Sequence, residues 1–248
     1  MTETSAYYIR PMLAADLPRI ADVCADAFVG EEIFERIWSY SQNEPQVYPI
    51  YREWMLRVVK TAVYEKGSNT WVACRRPARE VDGREDDEVV AVSIWKREGT
   101  SRTAQAWQQT THTIHCKVEK KLVKWEHDVI QALGGYGRSY EKKLSDLFDS
   151  TVEHSIEKFK PLMPERWHLT LLAVDPACHR RGLASMLVKW GVENAKAEVV
   201  PATLWSSLQA RRLYERYGFV VLEWPNQQKV LHEDPEASPL MICSPAGA

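Results

Sequence analysis

Between Leu169 and Ala184 the chain reads Leu-Thr-Leu-Leu-Ala-Val-Asp-Pro-Ala-Cys-His-Arg-Arg-Gly-Leu-Ala. An apolar strand runs into a turn marked by Pro176, and two arginines and a glycine then open a long helix. The first amides of a helix have no partner within it and carry partial positive charge, so they can hold an anion. Gly182 leaves out a side chain where a phosphate must come close, and Ala184 keeps the next turn narrow. Arg180 and Arg181 add positive charge at the same place. That is the chemistry of a diphosphate cradle. Read alone, the same residues fit equally well a strand, a turn and a helix whose arginine pair is simply solvated.

A second run lies downstream, Ala210-x-x-Leu213-Tyr214-x-x-x-Gly218-Phe219. The order and spacing of the two runs resemble the GNAT superfamily of acyl-CoA-dependent N-acetyltransferases. The signature there is Gln/Arg-x-x-Gly-x-Gly/Ala behind a strand ending in Val-x-Pro. Here Val174-Asp175-Pro176 is followed by His179-x-x-Gly182-x-Ala184. The resemblance is firm over Trp167–Trp224, looser over Tyr8–Lys96, and absent over Gly99–Arg166. His179 stands where Gln or Arg is usual, and Ala210 replaces a frequent Gly.

The resemblance implies that the donor's pantetheine lies between two splayed strands, with Leu172, Ala173 and Val174 offering a backbone edge. It implies that His179, Arg180, Arg181, Gly182, Leu183, Ala184 and Ser185 hold the pyrophosphate, and that Ser207 and Ala210 lie near the donor. Tyr214 matches the tyrosine that protonates the leaving thiolate, and the transfer is expected to run downhill. Packing beside Leu213 and Phe219 is the other reading of Tyr214. A base must take a proton from the acceptor amine; His168, Glu223 and Asp175 are candidates, although a satisfied structural His168 and a turn-capping Asp175 fit those residue types as well.

Positioning these residues requires a scaffold of alternating elements. Tyr7–Pro11 reads as a strand, and Asp16-Leu17-Pro18 as a helix start. Helical spacing continues through Leu17, Ile20, Val23, Cys24, Ala27 and Phe28, and again over Gln46–Glu65. Thr70–Cys74 and Val89–Trp95 form an expected hairpin joined by the charged link Arg76–Glu88. In Gly99–Arg166, Val118, Leu122, Trp125, Val129 and Leu133 mark a helix ending at Gly134-Gly135. Tyr140–Phe159 marks another, and both are expected to pack on the sheet. From Trp167 the pattern is strand (to Val174), helix (Arg181–Glu198), strand (Ala202–Ser206), helix (Leu208–Tyr217), strand (Phe219–Trp224) and a last strand at Leu240–Ser244. This predicts a mixed α/β (α+β) fold, and the resemblance adds splayed central strands. One domain over 1–248, with a helical insertion at about 99–166, is expected.

Composition narrows the classes. With 248 residues, 45% hydrophobic and 27% charged, the balance is globular. A net charge of −2 argues against a general nucleic-acid binder. The five cysteines are scattered without a Cys-x-x-Cys pair, and His112, His115 and Cys116 lack a second ligand cluster, so no metal is expected. Nothing reaches the roughly 20 apolar residues of a membrane span, nor a signal peptide, so a cytoplasmic protein without a membrane partner is expected. Lys117, Lys120, Lys121 and Lys124 read as the wet face of the inserted helix. The resulting expectation is transfer of an acetyl group from acetyl-CoA to a small-molecule amine by a monomer or homodimer, with an outline similar to fungal members of the family. An aromatic-lined acceptor pocket would draw on Phe34, Trp38, Tyr40, Tyr48, Tyr51, Trp95, Trp107 and Trp125. Acetylation of a protein or peptide, and a silent acyl-CoA sensor, are the alternatives.

Overall fold

The computed structural model describes residues 6–38, 46–76, 87–109, 111, 113–137, 139–223 and 239–245. Seven strands form one sheet: β1 (Tyr7–Pro11), β2 (Ser68–Arg75), β3 (Glu88–Glu98), β4 (Arg166–Val174), β5 (Ala202–Trp205), β6 (Val220–Glu223) and β7 (Leu240–Cys243). Their order is β1-β2-β3-β4-β5-β7-β6. The β4–β5 pair is parallel and the other five pairs are antiparallel, so the sheet is mixed as expected. The eight helices described are α1 (Leu17–Phe28), α2 (Glu32–Trp38), α3 (Val47–Val63), α4 (Arg102–Gln109), α5 (Ile114–Ala132), α6 (Lys142–Phe159), α7 (Leu183–Ala197) and α8 (Arg211–Glu215).

The two faces of the sheet bury different helices. α1 and α3 place Ile20, Val23, Met55 and Val59 in one core with Val72, Val92 and Ala173. Removing such side chains from water is the main force holding these layers together. α7 covers the opposite face, with Val188 and Val192 against Trp95, Trp167 and Leu169. Gly191 explains how α7 comes so close: a Cβ there would lie 2.1 Å from the Trp95 ring. The Trp95 indole N–H donates to the Leu187 carbonyl at 3.3 Å.

The segment between β3 and β4 departs from expectation in two ways. It contains three helices, because Arg102–Gln109 forms α4 ahead of the two expected. Moreover, α5 contacts α3, and α6 contacts α2, so neither lies on the sheet. The sheet face on that side is already covered by α1 and α3. As a result α5 buries Cys116 and Val123, while Val118, Leu122, Trp125 and Leu133, the expected inner face, are exposed. The side chains of Ser155 and Ile156 on α6 lie outside the described residues, as do Tyr40, His112 and Trp224.

Buried charges clasp the root of this segment to the sheet. Arg97 donates to Glu198 at 2.8 Å and to Glu165 at 2.9 Å, and Arg166 pairs with Glu98. Glu198 also accepts the indole N–H groups of Trp107 at 2.9 Å and Trp167 at 3.1 Å. Burial pushes the Glu165 carboxyl up, but hydrogen bonds from Ser101, Thr100 and Arg97 outweigh it and hold the group down at about 2. A buried charge is tolerated when its partners satisfy it in this way.

Candidate active site

β4 and β5 pair at Trp167↔Ala202, His168↔Thr203 and Leu169↔Leu204. Beyond Leu169, β4 continues to Val174 beside β3 alone. The separation coincides with a bulge. Ile94 pairs Leu171 and Trp95 pairs Leu169, which leaves Thr170 as an extra residue on β4. A bulge bends its strand and strengthens the local twist, so the far half of β4 is turned away from β5.

Backbone direction along that half follows from one hydrogen bond. Asp175 donates its N–H to the Val90 carbonyl at 2.9 Å. Across a trans peptide the carbonyl points the opposite way, so the Val174 carbonyl faces the gap. Alternation then puts the N–H and C=O of Val174 and Leu172 on the gap side, and those of Ala173 against β3. The backbone edge is therefore offered by Leu172 and Val174; the expected contribution of Ala173 is corrected, since its peptide groups serve the sheet. One gap-facing acceptor is already engaged, because the His179 ring Nε2 lies 3.1 Å from the Val174 oxygen. His179 thus caps the end of the edge.

The turn into α7 is fixed from both sides. Asp175 accepts the Ala177 N–H at 2.9 Å, as a turn cap, and its other oxygen pairs with Arg19. Arg19 also donates to the Val89 carbonyl at 3.0 Å, tying α1 to the same turn. No local sequence signal marks Arg19, which is 156 residues from its partner. Asp175 is consequently engaged as a cap in this structure.

Left-handed backbone appears twice here, at Arg180 (φ 61) and at Gly182 (φ 79). A non-glycine residue with positive φ is uncommon and is held only where the surroundings determine it. Gly182 caps α7, so the helix begins at Leu183 and leaves Arg181 outside it. The N–H groups of Leu183, Ala184 and Ser185 belong to the first turn, which has no internal acceptors. A Cβ built on Gly182 meets nothing within 4 Å, so the helix end opens on free space. Leu183 contributes its backbone there, since its side chain is buried with Leu187 and Cys178. Arg180 is exposed. Arg181 reaches across to β1, where its guanidinium donates to the Tyr7 hydroxyl at 3.0 Å.

On the other side of the gap, Ser207 accepts the Ala210 N–H at 3.3 Å and starts α8. Tyr214 follows on α8, 4% exposed, with its ring 5.9 Å from Phe219 in an edge contact. The packing expected for Tyr214 beside Phe219 is therefore present. Among the described residues no partner takes its hydroxyl. Burial pushes the phenol well above its ordinary range. That corrects the expected downhill transfer. A phenol near 10 is already a weaker acid than a thiol near about 8.5, and burial widens the gap.

Of the base candidates, His168 is buried on the paired half of β4, with its Nδ1 3.0 Å from the Thr203 hydroxyl. Burial holds its imidazole down at about 4. Glu223 ends β6, where it pairs Leu240. The expected aromatic residues divide among three places. Phe34, Tyr48, Trp38 and Tyr51 share the α1–α3 core, where Trp38 meets Tyr51 and Trp54 edge to face, Trp95 and Trp107 lie on the α7 side, and Trp125 is exposed. A small cavity remains between Phe28, Val29, Phe34, Glu35, Trp38 and Tyr51. Among the described residues no group of three or more His, Cys, Asp or Glu side chains is arranged to hold a metal.

Residues 159–231, which carry both motifs, match the family model described as an acetyltransferase (GNAT) domain. Those residues are thus similar to a GNAT acetyltransferase domain, the family that the two motifs resemble. One solved structure extends the likeness of fold beyond the matched residues. A structure described as histone acetyltransferase HPA2 and related acetyltransferase, from Corynebacterium glutamicum, is 21% identical. It covers 98% of this chain and 99% of its own, with a TM-score of 0.56. PH1933 from Pyrococcus horikoshii is 13% identical, with 96% and 98% covered and a TM-score of 0.49. NAA60 from Arabidopsis thaliana, solved with a bisubstrate analogue, is 14% identical, with 98% and 99% covered and a TM-score of 0.46. No curated protein sequence matches the chain.

Proposed function

We propose that this chain transfers an acetyl group from acetyl-CoA to the amine of a small molecule by direct attack. The observation that carries this reading is the free edge of β4 beyond Leu169, which runs straight into the open N-terminus of α7 at Gly182. Pantetheine amides would pair with Leu172 and Val174, and the diphosphate would sit on the amides of Leu183, Ala184 and Ser185 with Arg180 and Arg181 beside it. The thioester would then lie where β4 and β5 part, across from Tyr214. Nitrogen attack forms the new C–N bond and expels the thiolate, to which Tyr214 donates a hydrogen bond as charge develops. The proton lost by the amine leaves through ordered water or a carboxylate.

The acceptor is left to the assay, because the small cavity between Phe28, Val29, Phe34, Glu35, Trp38 and Tyr51 is lined by apolar surface and does not by itself select an ammonium group. Titration of the purified protein with acetyl-CoA, with thiol release followed against amines and peptides, tests the reading. Binding with release on small amines is expected. Release on peptides alone makes the protein an acetyltransferase of peptides, binding without any release makes it a sensor, and no binding overturns the proposal.

A further inference from the structure

We propose that the outer face of α5 seats the protein on an anionic lipid surface. α5 rests on α3 through Cys116 and Val123. Its opposite side exposes Ile114 (82%), Val118 (47%), Leu122 (46%) and Trp125 (64%), and Leu133 (83%) continues the line just past its end. Steps of four, four and three residues align these side chains in one stripe along the helix. The helix has therefore turned its larger apolar residues toward water. Lys117, Lys121 and Lys124 are exposed along one edge of the stripe; Lys120 lies further round, paired with Glu65, and Asp128 is exposed at the far end of that edge. This edge is positive on a chain whose net charge is −2, while the opposite edge carries the half-buried Glu119 and Glu126, the latter paired with Arg57.

Charge and shape select the occupant. An anionic bilayer complements the lysines, takes up apolar side chains of any shape, and favours a tryptophan at its interface. A second copy docking antiparallel on the same stripe would set lysine edge against lysine edge. The stripe is also convex, a single helix face about 28 Å long, which a lipid surface accepts without a matching groove. No helix among the described residues is long and apolar enough to cross a membrane; α5 would lie flat on it.

Flotation of the full chain with vesicles of phosphatidylcholine, with and without phosphatidylserine, tests this. Binding only to vesicles containing phosphatidylserine is expected. Replacing Lys117, Lys121 and Lys124 with Gln is expected to weaken it about fivefold for each lysine. The pair Leu122→Glu and Trp125→Glu is expected to abolish flotation while the thermal unfolding midpoint is kept. Should the Glu pair fail to fold, the lysine set decides alone. Absence of flotation with anionic vesicles, or lysine variants that float as well as the parent, overturns the proposal. So does a dimer in sedimentation that Leu122→Glu dissociates while vesicles stay unbound.

Discussion

Gly182 is where the structure makes the sharpest demand. It caps α7 at φ 79, and a Cβ added there meets no atom within 4 Å. Gly182→Ala therefore has no steric conflict within the protein and carries only the cost of a left-handed backbone, roughly 1–2 kcal/mol. Reduced freedom of the unfolded chain returns about 0.4–1 kcal/mol of this. The net loss of stability is about 1 kcal/mol, a fall of about 2–4 °C in the midpoint for a chain of this size. Binding should suffer more, because the open space is the seat assigned to the diphosphate. A methyl group there holds the phosphates off the first amides of α7, and we expect acetyl-CoA affinity to drop at least about tenfold, about 1.4 kcal/mol. The assay is paired calorimetry with acetyl-CoA and with S-acetylpantetheine, which lacks the diphosphate. The reasoning predicts a large loss for the first and almost none for the second. If acetyl-CoA affinity is unchanged while the midpoint falls, the open space is not the phosphate seat. Equal losses for both ligands would mean that the backbone edge, and not the cradle, has been disturbed.

Tyr214→Phe is expected to lower kcat by about 10² while the acetyl-CoA Kd moves less than about twofold, since the ring is retained and only the donor is lost; thiol-release kinetics beside calorimetry reads both, and an unchanged kcat confines Tyr214 to packing. His179→Ala frees the Val174 carbonyl but leaves the helix amides intact, so the acetyl-CoA Kd should change by less than about fivefold. A loss beyond about thirtyfold would make the imidazole a direct phosphate ligand. His168 bears on pH dependence. Its folded value of about 4 lies below the ordinary 6.5, so the unfolded chain binds the extra proton between them. The stability it contributes is present above about pH 6.5 and is lost as pH falls toward 4, with a share of about 2 kcal/mol gone by pH 5. Urea midpoints at pH 7.5 and 5 for the parent and His168→Gln measure that share, and equal pH slopes in the two proteins would refute it.

What was legible in the sequence was local. The Val174-Asp175-Pro176 turn, the glycine at the head of α7 and the Leu213-Tyr214 to Gly218-Phe219 run each encode a strand end, a helix cap or a short helix within a few residues, and local backbone preference is enough to place them. Strand alternation likewise announced a mixed sheet. Long-range geometry was not legible. The bulge at Thr170 depends on how β4 meets β3, and the loss of Ala173 from the binding edge depends on which neighbour its peptide groups face. His179 turning to Val174, Arg19 holding Asp175 and Arg181 reaching Tyr7 join residues that only folding brings together. Helical periodicity in α5 correctly gave an amphipathic helix, but periodicity says which residues share a face and not what that face meets. Only the tertiary structure, with α1 and α3 already covering the sheet, decided that Leu122 and Trp125 look outward.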